Sequence, residues 1–545
     1  MNKNRVALAA IILWLNASIA QAAPVVPDDA GSTLRRSAEM LEQRKLNQDL
    51  QENRQTGKEP ITDNTDKTKE KAAADDSVRF FVSEIVVNES QILKPEEIKA
   101  ITGKYEGKSV TLKDIYTAVA EFNELYEQKQ YITARAILPP QKIENGIVKI
   151  RLVEGRVGKI VLEGAKYTAE SFVTNRISLK NGDLVSVDKL SSDLLYFNGT
   201  NDVQLHAELR PGKEFGTTDV VIKLQEPKVL QTSLFVDNAG RDTTGLYRTG
   251  LSIEQTSLTG ARDPLSLTGM WARGTLYGSA SYSYPISVKG TRLGINYSKN
   301  RINIIDGELR ALDVAGNSSD FGLSLTQPLH IKPSLKIEGF AELHTKKSDN
   351  SFTGIQLAEN KVDTTVLGFS VLSYDGAGIW YTRHEFTSGK EETTHSNNQN
   401  FNRYNCSIIR QKKISNTWQL TVRADTQFAA MKQPLPSTEQ FYIGGMTSVR
   451  GYPEGYRAGN QGYSLSAEGS FPLSKELTGI IFVDHGAVRP VKGNKETSNA
   501  DDVLTSMGVG VNMNFTNQFS GKVAVGVPLR GDVGIRLHLS FQYGL

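Results

Sequence analysis

Apolar and polar side chains alternate along the last third of this chain until it stops. Over the final thirteen residues Val533, Ile535, Leu537, Leu539, Phe541, Tyr543 and Leu545 fall on one face. Gly534, Arg536, His538, Ser540, Gln542 and Gly544 fall on the other. A strand of about ten residues with one apolar wall suits a bilayer crossing only when neighbours pair both its edges, which predicts a closed barrel. Similar stretches recur from Val229 onward, at Leu276 to Ile286, Leu293 to Tyr297, Leu335 to Leu343, Trp418 to Ala424, Met507 to Phe515 and Phe519 to Val527. Gly, Asn, Asp and Pro punctuate them. At about 20 residues per strand and loop, the region 228–545 holds about 16 antiparallel strands, an even number as in single-chain barrels of the outer membrane.

Upstream the period changes. Ile85 and Val87 mark a strand, Thr111 and Asp114 a capping box, and Leu112, Ile115, Tyr116, Val119, Phe122 and Tyr126 follow at helical spacing. Tyr131 to Leu138 and Ile147 to Val153 read as two strands that complete an α+β module over 78–156. The order repeats over 157–227: a strand at Lys159 to Leu162, helices at Ala169 to Ser178 and around Val187, Leu190, Leu194 and Phe197, and strands at Val203 to Leu209 and Val220 to Leu224. Two β-α-α-β-β modules thus stand in tandem before the barrel.

Residues 23–54 precede these modules, and Thr33 to Arg54 within them predicts a helix capped by Ser32 or Thr33, polar nearly all round. Leu34, Ala38 and Leu41, then Leu46 and Leu50, form only broken stripes, which suits a wet cavity better than an ordinary core. Residues 55–77, with almost no apolar side chains from Gln55 to Asp76, read as a mobile tether. At the start, Lys3 and Arg5 lead into an apolar run from Val6 to Ile19, closed by Ala20-Gln21-Ala22. That is an export signal over 1–22.

Composition changes this picture little. The mean hydropathy of −0.35 resembles a soluble protein, yet a barrel with a polar lumen and an apolar outside averages to such a value. A net charge of +3 from 63 basic and 60 acidic residues is too balanced to argue for nucleic acid or a strongly acidic substrate, and no nucleic-acid partner is expected. The single cysteine, Cys406, excludes a disulfide-stapled scaffold. Seven histidines show no HExxH, and neither a GxSxG elbow nor a phosphate-binding GxxxxGK[ST] loop is present. No enzyme, metal or cofactor is called for; His384-Glu385 and Asp484-His485 read as lumen or loop polar groups.

Particular residues then add a resemblance. Tyr131-Ile132-Thr133-Ala134-Arg135, Leu138-Pro139-Pro140-Gln141, and Gly146 through Val153-Glu154-Gly155 resemble a POTRA sequence of the two-partner-secretion outer-membrane transporters, the TpsB family, relatives of the barrel-assembly protein BamA. Gly444-Gly445-Met446-Thr447-Ser448-Val449-Arg450-Gly451-Tyr452 resembles the family's pore-entering loop (444–455 here), and Phe482-Val483-Asp484-His485-Gly486 its strand motif. The resemblance covers essentially the whole mature chain. It implies a plug helix, two POTRA domains, a 16-stranded barrel, and a loop-to-wall contact between Arg450 and Asp484. A guanidinium inside a partly desolvated lumen needs a carboxylate at fixed geometry. Glu468 is a further candidate lumen charge. The family commonly ends in an aromatic residue and this chain in Leu545, so a C-terminal assembly signal rests more on Phe541 and Tyr543.

The function so implied is export of one TpsA-type partner, whether adhesin, haemolysin or toxin, from periplasm to cell surface. Outer-membrane lipid, and during biogenesis the barrel-assembly machinery and periplasmic chaperones, are the other expected partners. The alternative is a BamA-like insertase. Two modules rather than a longer array, together with the N-terminal helix, favour the transporter, and a passive porin has no use for periplasmic modules.

Overall fold

The computed structural model describes residues 28–52, 61–63, 78–394, 398–429, 433–489, 502–516 and 518–545. The expected export signal lies outside them. Sixteen strands, from Leu230–Asp237 to Arg536–Gly544, pair antiparallel with their neighbours and close into one barrel. The seam joins first strand to last, from Ser233 opposite Gly544 to Asp237 opposite Ser540. Closure leaves no strand edge facing hydrocarbon, where an unpaired backbone amide costs several kcal/mol. Alternation sorts the faces. On Arg292–Asn303 the side chains of Leu293, Ile295 and Tyr297 are exposed on the outer wall, while Ser298 and Asn300 are buried inside.

Strand lengths depart from the even repeat. Ala315–Lys332 and Leu335–Phe352 each run 18 residues and Ile355–Asp375 runs 21, well beyond the roughly ten that cross a bilayer. These long strands meet in very short turns, such as 333–334 and 376–377, so the total still closes at sixteen. The terminal strand starts only at Arg536. Val533 packs instead on the loop cluster of Ile443, Val449 and Tyr452 inside the barrel.

In the first periplasmic module the Thr111 Oγ1 accepts the Asp114 N–H at 3.2 Å and the Asp114 carboxylate accepts the Thr111 N–H at 2.8 Å. Helix Leu112–Gln128 starts there, and its Ile115, Phe122 and Tyr126 are buried against Val148, Ile150 and Leu152 of Ile147–Val153. The strand expected over 131–138 shrinks to Arg135–Ile137 because the chain turns at Tyr131, whose carbonyl accepts the Ala134 N–H. Strands Arg79–Val82 and Lys108–Thr111 and helix Pro95–Thr102 were not legible in the pattern; each spans eight residues or fewer. In the second module the helix expected over 169–178 shortens to Glu170–Thr174, and the Asp193 carboxylate takes the Ser178 N–H at 2.7 Å. This module sits on the barrel's short turns: the Tyr196 hydroxyl donates to the Lys289 carbonyl at 2.8 Å, and the Ala169 N–H to the Gly260 carbonyl at 2.9 Å.

The tether expected over 55–77 carries one described strand. Ile61–Asp63 forms a strand parallel to the edge strand Gln204–Pro211 of the second module. The N-terminal helix runs Ala30–Glu52, three residues earlier at its start than expected, with residues 53 and 54 outside the described set. Its cap is Asp29, whose carboxylate accepts the Ser32 N–H at 3.0 Å and whose carbonyl accepts that of Thr33 at 3.2 Å; Ser32 and Thr33 lie in the first turn.

Candidate functional site

Two features fill the barrel, the helix and the long loop between strands Gln419–Phe428 and Gln461–Pro472. The loop carries its own hairpin, Phe441–Ile443 against Arg457–Gly459, which holds residues 444–456 as a compact tip. Gly445 and Gly451, at φ of 107° and 93°, make turns that side-chain-bearing residues resist.

Arg450 stands at this tip with its side chain aimed at the wall. Its Nε and Nη2 donate to the two Asp484 oxygens at 2.7 and 2.8 Å, and its backbone N–H reaches the same carboxylate at 3.0 Å. Nη1 donates to Glu468, Nη2 also to Ser466 Oγ at 3.1 Å, and the guanidinium lies 3.5 Å above the Phe482 ring. Asp484 is fully buried and also accepts the Ser466 hydroxyl at 2.7 Å. This is a planar fork matched to a carboxylate, with every Asp484 lone-pair direction engaged.

The flanking motif residues fit around that contact. Val449 and Tyr452 are wholly buried. The Tyr452 hydroxyl donates to the Arg530 carbonyl at 2.7 Å and lies 3.0 Å from the Thr505 carbonyl, bringing the tip against two neighbouring elements. A Cβ at Gly486 would stand 3.1 Å from Val449, so the glycine leaves the tip its seat. Phe541 stacks on Phe519 at 6.2 Å, and Tyr543 and Leu545 are exposed on the outer wall.

Sequence reading missed three members. His538 Nε2 accepts the Gly451 N–H at 2.9 Å; a Cβ at Gly526 would stand 2.5 Å from that same nitrogen; and Lys522 pairs with Glu468 at 3.1 Å. His538 carried one signal, its place on the polar face of an alternating strand. The reading of His384 and His485 needs correction: alternation puts both on the outer wall, where His384 stacks on Phe369 and bonds the Tyr404 hydroxyl at 2.7 Å, and His485 meets the Tyr463 hydroxyl at 3.1 Å.

The helix occupies the lumen beside the loop. Leu34 and Met40 pack on Phe235, Met270 and Tyr277, and Leu50 on Ile379 and Ile409. Polar contacts add to these: the Ala30 carbonyl accepts from Asn300 and Ser318 at 3.1 and 2.9 Å, Arg36, paired with Asp28 of its own segment at 2.9 Å, donates to the Glu454 carbonyl at 3.1 Å, Arg35 donates to the Thr438 carbonyl at 3.2 Å, and Arg44 pairs with Asp237 at 3.3 Å. A polar cavity of about 880 Å³ remains beside it, so the thin apolar stripes are buried at points along a wet channel.

Two loop carboxyls on this boundary behave oppositely. Burial alone would raise Glu439, but Lys346, Arg403 and Arg35 hold it down to about 2. Burial pushes Glu454 up to about 7, against the Met446 N–H it accepts and the nearby Arg248 and Arg36. A carboxyl raised in the folded state binds protons more tightly there, so packing is strongest below about pH 4.5 and weakens as pH climbs through 7. Pore conductance in planar bilayers is expected to rise between pH 5 and 8 (about the span of this titration). The Glu454→Gln protein is expected to show a flatter profile, and an equal rise in both would exclude this group.

A closed sixteen-stranded barrel behind two α+β modules, with a helix and a loop in its lumen, is the architecture of an outer-membrane β-barrel protein. Residues 216–513 match the haemolysin secretion/activation protein family ShlB/FhaC/HecB, and residues 80–155 match the ShlB-type POTRA domain. The chain belongs to this family, whose members are transporters that secrete partner proteins. It is 25% identical over 478 residues to the heme/hemopexin transporter protein HuxB of Haemophilus influenzae, 83% of each chain. It is 24% identical over 551 residues to the outer membrane transporter CdiB of Dickeya dadantii, 94% of this chain and 95% of that one. The fold is similar to solved CdiB from Escherichia coli, with a TM-score of 0.67 and 19% identity over 96% of this chain and all of that one. The protein is thus an outer-membrane two-partner-secretion transporter with its POTRA domains in the periplasm, and its partner is a secreted TpsA-type protein.

Proposed function

We propose a resting, plugged transporter whose POTRA pair captures the partner's N-terminal region and whose helix leaves the lumen when the partner engages. The observation that carries this reading is the lumen itself, filled by a helix joined to the POTRA sheet through Ile61–Asp63. A three-residue strand on the exposed edge Gln204–Pro211 holds by few backbone hydrogen bonds, and an incoming extended segment can replace it through the same bonds. In this reading residues 1–22 are the export signal, 23–54 the plug and 55–77 the linker. Residues 78–156 and 157–227 are the two POTRA domains, and 228–545 the barrel. Arg450, Asp484 and Glu468 lock the loop to the wall, with Val449, Gly451, Tyr452, Phe482 and Gly486 shaping its seat. Phe541, Tyr543 and Leu545 present the terminal strand to the barrel-assembly machinery, with periplasmic chaperones delivering the unfolded chain.

Depletion separates this from the insertase alternative. Loss of the protein is expected to remove one large exported protein from the surface and leave other outer-membrane barrels at wild-type abundance in quantitative proteomics. A broad fall in barrel proteins would instead identify an insertase.

A further inference from the structure

Transport leaves one part of the outer wall unused. On strands Arg292–Asn303, Ala315–Lys332 and Leu335–Phe352 the outward residues stay apolar up to Tyr297, Phe321 and Leu343, all exposed. Tyr297 lies opposite Phe321, and Leu323 opposite Leu343, so these side chains form one continuous edge of the lipid-facing belt. Just beyond it the same face turns cationic, with Lys299, Arg301 and Lys347 all exposed.

Register brings the three together. Lys299 lies opposite Ser319, which in turn lies opposite Lys347, and Arg301 lies opposite Asn317. Two strand spacings separate the Lys299 and Lys347 backbones by about 10 Å. Among the described residues no carboxylate pairs with any of the three, whereas Lys361 and Lys390 nearby are held by Asp363 and Glu392 at 2.6 Å each. The acid that shares the face, Asp349, accepts the Asn317 amide at 3.1 Å.

Orientation says which leaflet this is. The second POTRA module touches Lys289, in the turn that leads into Arg292–Asn303, and its Gly199 abuts Ile331 near the end of Ala315–Lys332, so the cations at the opposite ends of these strands face the cell-surface leaflet. Exposed cations just above an apolar belt fit anionic groups attached to acyl chains. In that leaflet the matching chemistry is a phosphorylated glycolipid.

We propose that Lys299, Arg301 and Lys347 bind the phosphates of lipopolysaccharide, whose acyl chains lie against Tyr297, Phe321 and Leu343. Arg301 supplies a planar fork, the two ammonium groups supply point charges, and Ser319 and Asn317 offer polar contacts between them.

The test uses the full-length protein in detergent, titrated with purified lipopolysaccharide and read by native mass spectrometry. The triple variant Lys299→Gln/Arg301→Gln/Lys347→Gln is expected to bind about tenfold more weakly or worse, since it removes three charge-assisted contacts. Wild type should lose affinity similarly for dephosphorylated lipopolysaccharide, while Lys361→Gln/Lys390→Gln should bind as wild type does. Undiminished binding by the triple variant, or equal displacement of lipopolysaccharide by phosphatidylglycerol, overturns the proposal. Heat-modifiable migration reports whether each barrel is folded; if the triple variant is not, Lys299→Gln/Lys347→Gln carries the same test.

Discussion

The Arg450→Ala protein inserts and migrates as a folded barrel, yet exports its partner at less than about a tenth of the wild-type rate; this is the largest effect expected of a single substitution. The substitution strips Asp484 of a bidentate cation in a fully buried position. Removing one member of a buried pair costs about 3–5 kcal/mol, most of it from the charge left behind. Sixteen strand pairings hold the wall, so the loss falls on the loop tip. Arg450→Lys is expected to restore little, because an ammonium cannot reach both Asp484 oxygens and Glu468 in one plane. Export at the wild-type level from the alanine variant, measured as secreted partner per inserted barrel, would falsify the lock.

Deleting residues 30–52 is expected to raise ion conductance several-fold in planar bilayers and leave export largely intact. A helix is about 10 Å across with its side chains, and here it stands in a channel whose free volume beside it is about 880 Å³. Its contacts are a few apolar side chains, ion pairs such as Arg44–Asp237 and buried hydrogen bonds to the Ala30 carbonyl, a limited set that partner binding must replace. Unchanged conductance would remove the plug role, and lost export would give the helix a part in transport itself.

Much of this was legible because each signal was local. Alternation in Leu293, Ile295 and Tyr297 depends on one strand's own two faces, and the Thr111–Asp114 box on four consecutive residues. What escaped depends on distant partners. His538 meets a backbone amide 87 positions away, and Gly526 is small because a loop tip from another part of the chain rests on it. The strand Ile61–Asp63 has no alternation to display over three residues and exists because a neighbouring edge was open. The Arg450–Asp484 contact was reachable only by resemblance, since spacing along the chain says nothing of distance across a lumen.

Once the passenger releases the Gln204–Pro211 edge, renewed pairing of Ile61–Asp63 sets how the pore closes. Eight residues, and so nine chain steps, separate Glu52 from Ile61, a reach of at most about 32 Å. An expelled helix confined to that radius experiences its own vacant channel at a local concentration on the order of millimolar, however sparse the protein is in the envelope. Resealing is therefore intramolecular, and the open interval lasts only as long as the passenger occupies the passage.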